Sequence, residues 1–292
     1  MGLRLKFNMV LLVMFLVGLG ASGYISYTQL HKNARAEVVR NAELMLATAI
    51  SIRGYTVGQV KPLLAPQLAE TFLPQTVPAY AATETIEDLR KKYPEYSYKE
   101  ATLNPTNPRD LAKGWELEVI EQFKSDDELA EVIGENVTDI GRSLYIARPI
   151  KIKNRACLAC HSKPTNAPPS MVALYGDKNG FGWRHNEIVG TQYVTVPMEL
   201  PIENANRAFY TFMTSLFTVF VLIFIALNIM LNSMIISPIV KMSESADKIS
   251  VGDFSVDEFA ESGKDEVAQL STSFNRMRRS LEQALKMMMQ KK

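Results

Sequence analysis

A chain of 292 residues with a formal net charge of +1 has room for one or two domains. Its near-neutral balance gives no reason to expect nucleic acid or a strongly acidic partner. Nearly half of its residues are hydrophobic (47%), but they are gathered in two stretches, and that clustering points to a membrane.

The first stretch runs over residues 7–27, centred on Val10 to Val17, and carries no charge before His31 and Lys32. The second runs over 209–236 and is also uncharged. Each is long enough for a helix to cross a hydrocarbon core of roughly 30 Å, and a helix satisfies its own backbone hydrogen bonds there. Arg4, Lys6 and the small residues Ala21, Ser22 and Gly23 also fit a cleaved signal peptide, an alternative for the first stretch. In either case the basic N-terminus stays inside. The expected layout is a cytoplasmic N-terminus (1–6), a first span (7–27), an outer domain (28–208), a second span (209–236) and an inner segment (237–290). This places the chain in a bacterial inner, or thylakoid-type, membrane, with the outer domain periplasmic or lumenal, both termini cytoplasmic and membrane lipid as a partner.

Residues 33–53 are rich in helix formers and free of Gly and Pro,. Val38, Leu44, Ala47 and Ile50 suggest its buried face, and the helix is expected to continue from the first span. Pro62, Pro66, Pro74 and Pro78 punctuate the next region into loops and short helices. Residues 85–93 predict a helix, 96–102 a strand and 104–108 a turn. Residues 116–124 and 126–133 predict a helix pair or one extended helix, and 143–151 and 190–198 read as strands. The fold class expected is α+β, with a small antiparallel sheet in the outer domain.

The chemistry lies in Cys157-Leu158-Ala159-Cys160-His161, which contains the only two cysteines. This spacing is that of covalent c-type haem attachment. Two thiols add to the porphyrin vinyl groups, and the adjacent imidazole becomes the proximal iron ligand. One haem c is therefore expected, with Cys157 and Cys160 as thioether links and His161 as metal ligand. A disulfide and a thioredoxin-like pair compete with it. So does zinc, but four ligands are needed and only His31 and His185 remain as nitrogen donors.

The surrounding residues extend the pattern. Pro164, Ala167-Pro168-Pro169, Tyr175-Gly176, Gly180-Phe181-Gly182-Trp183, Glu187-Ile188-Val189-Gly190 and Val196-Pro197-Met198 follow in order, with Ile52-Arg53-Gly54-Tyr55-Thr56 upstream. This order resembles the bacterial c-type haem domains labelled DUF3365, across most of residues 30–205. The resemblance implies a PAS-like fold and a redox or gas sensor. It also implies a distal ligand from the N-terminal helix, a Cys in one form of the family, which this chain lacks. Met45 on the corresponding helix and His185 are the candidates for the distal position, ahead of Met171 and Met198, and an open sixth position would permit gas binding. Arg53, Tyr55, Trp183 and Arg184 are candidate haem or propionate contacts.

The inner segment carries a second pattern. Ser237-Pro238 predicts a break. Ile239, Met242, Ala246 and Ile249 then recur at spacings of three and four, followed by a connector from Gly252-Asp253-Phe254. After Gly263 come Val267, Leu270, Phe274, Met277, Leu281, Ala284 and Met288, the spacing of a coiled-coil seam. With Pro238, Gly252, Asp265-Glu266, Leu270 and Phe274-Asn275 this resembles a HAMP domain, a relay module that forms a parallel four-helix bundle as a homodimer. Two such helices cannot bury their stripes alone, so dimerisation also follows from the physics.

A haem-based redox or gas sensor, relaying through HAMP to a separate cytoplasmic output protein such as a kinase, unites these features. No enzyme activity is expected. The alternative is a membrane-anchored cytochrome for electron transfer, or an accessory subunit of a membrane complex.

Overall fold

The computed structural model describes residues 2–138, 141–259, 263 and 265–290. These form two compact units: Tyr27–Ala208, and Met1–Ser26 together with Phe209–Lys292.

The first helix, α1 (Leu3–Tyr55), runs unbroken out of the first apolar stretch and into the sheet unit. A π-helical turn, Thr56–Val60, then leads into α2 (Lys61–Leu63) and α3 (Ala65–Glu70). The prolines of this region cannot donate a backbone N–H and confine it to short pieces. Pro78, at the first position where that loss costs nothing, opens α4 (Pro78–Arg90) earlier than residues 85–93 suggest. Strand β1 (Ser97–Thr102), α5 (Trp115–Ser125), β2 (Val132–Thr138) and β3 (Gly141–Lys151) follow. The expected helix over 126–133 does not form. After α5 the chain turns at Asp126 and enters β2, which pairs antiparallel with β3 from Val132↔Ala147 to Thr138↔Gly141. Next come α6 (Leu158–His161), α7 (Pro169–Tyr175) and β4 (Ile188–Pro197).

The sheet is antiparallel throughout, in the order β1-β4-β3-β2. Side chains alternate between its faces. Tyr98, Leu144, Ile146, Val194 and Val196 meet α1 and α4 on one face, and Ala101, Ala147 and Tyr193 meet Val119, Ile120 and Phe123 of α5 on the other. The buried stripe of α1 is Ala34, Val38, Ala42, Leu46 and Ala49. Of the expected face, only Val38 belongs to it. Leu44 is 59% exposed, Ile50 points outward and Ala47 is exposed. Alanine fills three of the five stripe positions, with Val38 and Leu46 between them, so small residues mark much of the contact while Leu44 and Ile50 are left outside.

In the second unit, α8 (Glu199–Leu231) carries the second apolar stretch. A π-helical turn, Asn232–Ile236, joins it to α9 (Ser237–Ser250). The break expected at Pro238 is therefore absent. Pro238 sits in the first turn of α9, after the π turn, whose widened ladder accommodates its missing donor. Both apolar stretches lie in helices long and apolar enough to cross a membrane. Phe15 of α1 stacks on Phe220 of α8 with ring centroids 5.0 Å apart, and Gly23 of α1 faces Met213.

The last helix is α10 (Glu266–Gln290). Asp265 caps it, its Oδ1 accepting from the Ala268 N–H at 2.8 Å,. Asn275 is fully buried, and its amide satisfies both backbone groups of Phe259 in the connector (N–H to Oδ1 3.1 Å, Nδ2 to the carbonyl 2.8 Å). Most of the expected seam stays exposed in the single chain, with Leu270, Met277, Leu281 and Met288 all more than two-fifths accessible. Asn275→Ala should lower stability by about 1 kcal/mol, because half-buried Phe259 would lose the partner of both its backbone groups,. A thermal melt of the full chain in detergent tests this, and an unchanged melting temperature would refute the clamp.

Candidate functional site

The cysteine segment is a single turn of helix. Asn154 starts it, its Oδ1 accepting from the Ala156 N–H at 2.9 Å. A 3-10 turn, Arg155–Cys157, then passes into α6. On such a turn, positions i, i+3 and i+4 share a face, so Cys157, Cys160 and His161 lie side by side. The two cysteines are free thiols, Cys157 exposed and Cys160 half-buried, and no disulfide joins them. Burial pushes the Cys160 thiol above its usual range, opposed by the charge of Lys61 and supported by that of Cys157. Among the described residues, no cluster of three or more His, Cys, Asp and Glu is disposed to hold a metal ion.

His161 is fixed from two sides. Its Nδ1 lies 2.7 Å from the Gly180 carbonyl oxygen, which can only accept, so Nδ1 carries the hydrogen and Nε2 the lone pair. Its ring stacks on Trp183 with centroids 4.0 Å apart and planes 11° from parallel. Burial holds the imidazole pKa below the usual range, against the opposing pull of the Gly180 bond.

The segment 180–183 is pinned in turn. Gly182 N–H donates to the Ser162 carbonyl at 2.9 Å and Trp183 N–H to the His161 carbonyl at 3.2 Å. Asn104, in the turn after β1, accepts from the Gly180 N–H through Oδ1 and donates through Nδ2 to the Phe181 carbonyl, both at 3.1 Å. Gly180 has φ +81°, and a Cβ there would sit 2.0 Å from Thr106 Oγ1. Only glycine meets both conditions.

Cys157, Cys160, His161 and Trp183 line one wall of a cavity of ≈ 450 Å3, within the range of small-molecule and cofactor sites. Further lining comes from the end of α1 and its π turn (Arg53, Val57), Pro74 and Pro78, the end of β1 (Glu100, Thr102), Arg109 and Asp110 beyond it, and Ile150 and Ile152 at and just past the end of β3. Met171 and Tyr175 of α7 also face it. The hydroxyl oxygens of Thr102 and Thr106 are buried here with no hydrogen-bond partner.

Charged groups are paired across this space. Arg53 forms an ion pair with Glu100, whose Oε1 also accepts from the Tyr98 hydroxyl at 2.6 Å. Burial, then the Glu100 charge, drives the Tyr98 phenol far above its usual range. Arg109 binds Glu84 closely, reaches Asp110 only at 3.8 Å through Nε, and lies over the Tyr80 ring. Burial pushes the Asp110 carboxyl up to about 6, against Arg109.

Arg53 and Trp183 thus join the Cys-x-x-Cys-His turn, as the sequence suggests. Tyr55 does not: it is 64% exposed and absent from the lining. Neither distal candidate reaches the cavity. Met45 packs against the core under α1, and His185 is exposed, its Nε2 on the Lys153 carbonyl at 3.2 Å. Of the weaker candidates, Met198 is a core residue and Met171 is buried on the lining. His31 bonds the Asn206 side chain at 3.0 Å. Glu100, Asp110, Arg109, Asn104 and the carbonyl role of Gly180 have no signal in the sequence, because the fold alone brings β1 and its following turn to the cysteine segment.

A family model described as Tll0287-like matches residues 31–197, and a HAMP domain model matches residues 230–283. Among solved structures, the crystal structure of the cyanobacterial haem protein Tll0287 is similar at 19% identity and a TM-score of 0.41, covering 52% of this chain and 92% of that chain. No protein of curated function matches the chain.

A carboxyl raised in the folded state stabilises the fold fully below its unfolded pKa near 4, and that contribution is lost as pH rises through about 6,. The cofactor-free chain should therefore lose stability relative to Asp110→Asn between pH 4 and pH 7.5. Melting temperatures of the two proteins across this range test the point. A difference independent of pH would contradict it.

Proposed function

The chain belongs to the Tll0287-like family, and from that premise we propose that it is a membrane-bound sensor with one covalently attached c-type haem and a HAMP relay. The observation that carries this reading is the orientation of His161. With Nδ1–H given to the Gly180 carbonyl, Nε2 is the ligating nitrogen, and a carbonyl behind a metal-bound imidazole raises its basicity and fixes its ring. The two free thiols beside it match the donor set of covalent attachment. A largely apolar cavity whose charged lining includes Arg53 and Arg109, each already paired with a carboxylate of this chain, and whose two threonine hydroxyls have no partner, has room and polar contacts for a porphyrin with two carboxylate arms. Bound there, haem supplies a one-electron couple and an iron coordination site.

Cys157 and Cys160 would hold the haem, each S–H adding across a vinyl C=C, the sulfur to one carbon and the hydrogen to the other, with no net redox change. His161 would hold the iron through Nε2, Trp183 holds the imidazole ring in one orientation by stacking, and Ile150, Ile152 and Met171 line the cavity with apolar surface. We assign this chain binding and relay rather than turnover. The relay has a covalent path. Arg53, on the cavity, lies in the last turn of α1, and α1 continues without a break through the first apolar stretch. On the other side β4 passes into α8 after Met198 alone.

The HAMP helices, with Met277, Leu281 and Met288 exposed in one chain, suit a dimer that switches between packings and acts on an output protein. The haem domain would face the periplasm or lumen, where c-type haem is attached. Neither Met45 nor His185 lines the cavity, so the distal position would be met by a lining residue or left open to a gas.

Co-expression with a c-type haem maturation system should give a protein that keeps its haem through denaturing electrophoresis. Cys157→Ser with Cys160→Ser should lose the covalent haem stain. His161→Ala should keep the stain but change the Soret band. A wild-type protein without covalent haem, or a double variant that retains it, would overturn the assignment.

A further inference from the structure

We propose that Asp110 takes up a proton when iron held at His161 is reduced, so that the site couples one electron to one proton. This rests on the haem reading above. The cavity that holds Cys160 and His161 encloses two carboxylates, Glu100 and Asp110, and they are not equally compensated. Glu100 has two partners of its own: the Arg53 guanidinium and the Tyr98 hydroxyl, the latter at 2.6 Å. Asp110 has a share of one. The guanidinium of Arg109 donates through Nη1 to Glu84 of α4 and reaches Asp110 only through Nε, at 3.8 Å. From β1, Lys99 attracts the Asp110 charge and Glu100 repels it. From α7 and α4, the Tyr175 and Tyr80 rings line the same cavity, Tyr80 under Arg109.

Iron reduction adds one negative charge to an enclosure with apolar walls, where charge interactions are weakly screened. The carboxylate with the weakest cation is the group that responds, because added negative charge favours its protonated form. The Asp110 side chain is 21% exposed, enough to exchange protons with solvent. Its carboxyl, already pushed up to about 6 by burial, is poised for the change near neutral pH. The balance is simple. Ferric iron accepts one electron from a one-electron donor, an electrode in the experiment. The Asp110 carboxylate accepts one proton from water, and no bond to the haem is made or broken.

Spectroelectrochemical titration of the full-length holoprotein in detergent from pH 5 to pH 8 tests the coupling. One pH unit is a tenfold change in proton activity, so the midpoint potential should fall by about 59 mV per unit for this one-electron couple above pH 6. Asp110→Asn should be flat over the same window. Glu84→Gln frees Arg109 for Asp110 and should move the start of the slope to lower pH, which checks the assignment without touching the carboxyl itself. A flat wild-type profile, an unchanged slope in Asp110→Asn, or an unmoved window in Glu84→Gln would overturn the proposal. A chain that carries no haem at the outset refutes the haem reading itself, whereas bound haem with a flat profile refutes only the coupling.

Discussion

The hydrogen bond from His161 to the Gly180 carbonyl is the constraint on which the site depends. It decides which imidazole nitrogen faces the cavity, and it exists because a left-handed glycine aims that carbonyl inward. Asn104 then holds the glycine by its N–H and the next residue by its carbonyl. Three segments far apart in sequence therefore meet at one ring: the turn after β1, the cysteine helix and the loop before β4. Each supplies something the others cannot. The helix gives the donors, the loop gives the tautomer, and the β1 turn fixes the loop.

The same economy sets how the site joins the rest of the molecule. α1 lies close to the sheet because its contact stripe is mostly alanine, with Val38 and Leu46 as the larger members. The stripe leads to Arg53, which leaves the core and enters the cavity, where Glu100 pairs with it. A buried ion pair with one partner removed is costly, so Arg53 and Glu100 tie the end of α1 to β1. The last turn of the helix that contains the first apolar stretch thus presents a charge to the cavity. At the other end of the chain, Asn275 clamps the connector while the apolar seam of α10 waits for a partner.

Local chemistry was legible in the sequence. Cys157, Cys160 and His161 stood out through spacing alone, the two apolar stretches through length, and the HAMP helices through periodicity. Strands β1, β3 and β4 were read close to their observed limits. Three features escaped for physical reasons. The buried face of α1 was misplaced because small residues, not Leu44 or Ile50, mark a close contact. The first two residues of β2 were taken for the end of a helix because Asp126-Asp127-Glu128-Leu129 has helical composition, and only pairing with β3 turns the following residues into a strand. Of the distal candidates, Met45 was chosen for its place on the helix that the family resemblance singles out, and His185 by residue type. Placement then put one in the core and the other in solvent, while Glu100 and Asp110, unremarkable in sequence, came to the cavity through sheet register.

In the proposed relay, the state of this cavity is carried along α1 and into the HAMP helices. Hydrogen exchange of the full-length holoprotein, oxidised against reduced, reads that transfer. Altered exchange is expected in the turn from Arg53 to Val60 and at the connector held by Asn275, with the α5 face of the sheet unchanged. Complete haem reduction with identical exchange in both segments would contradict it.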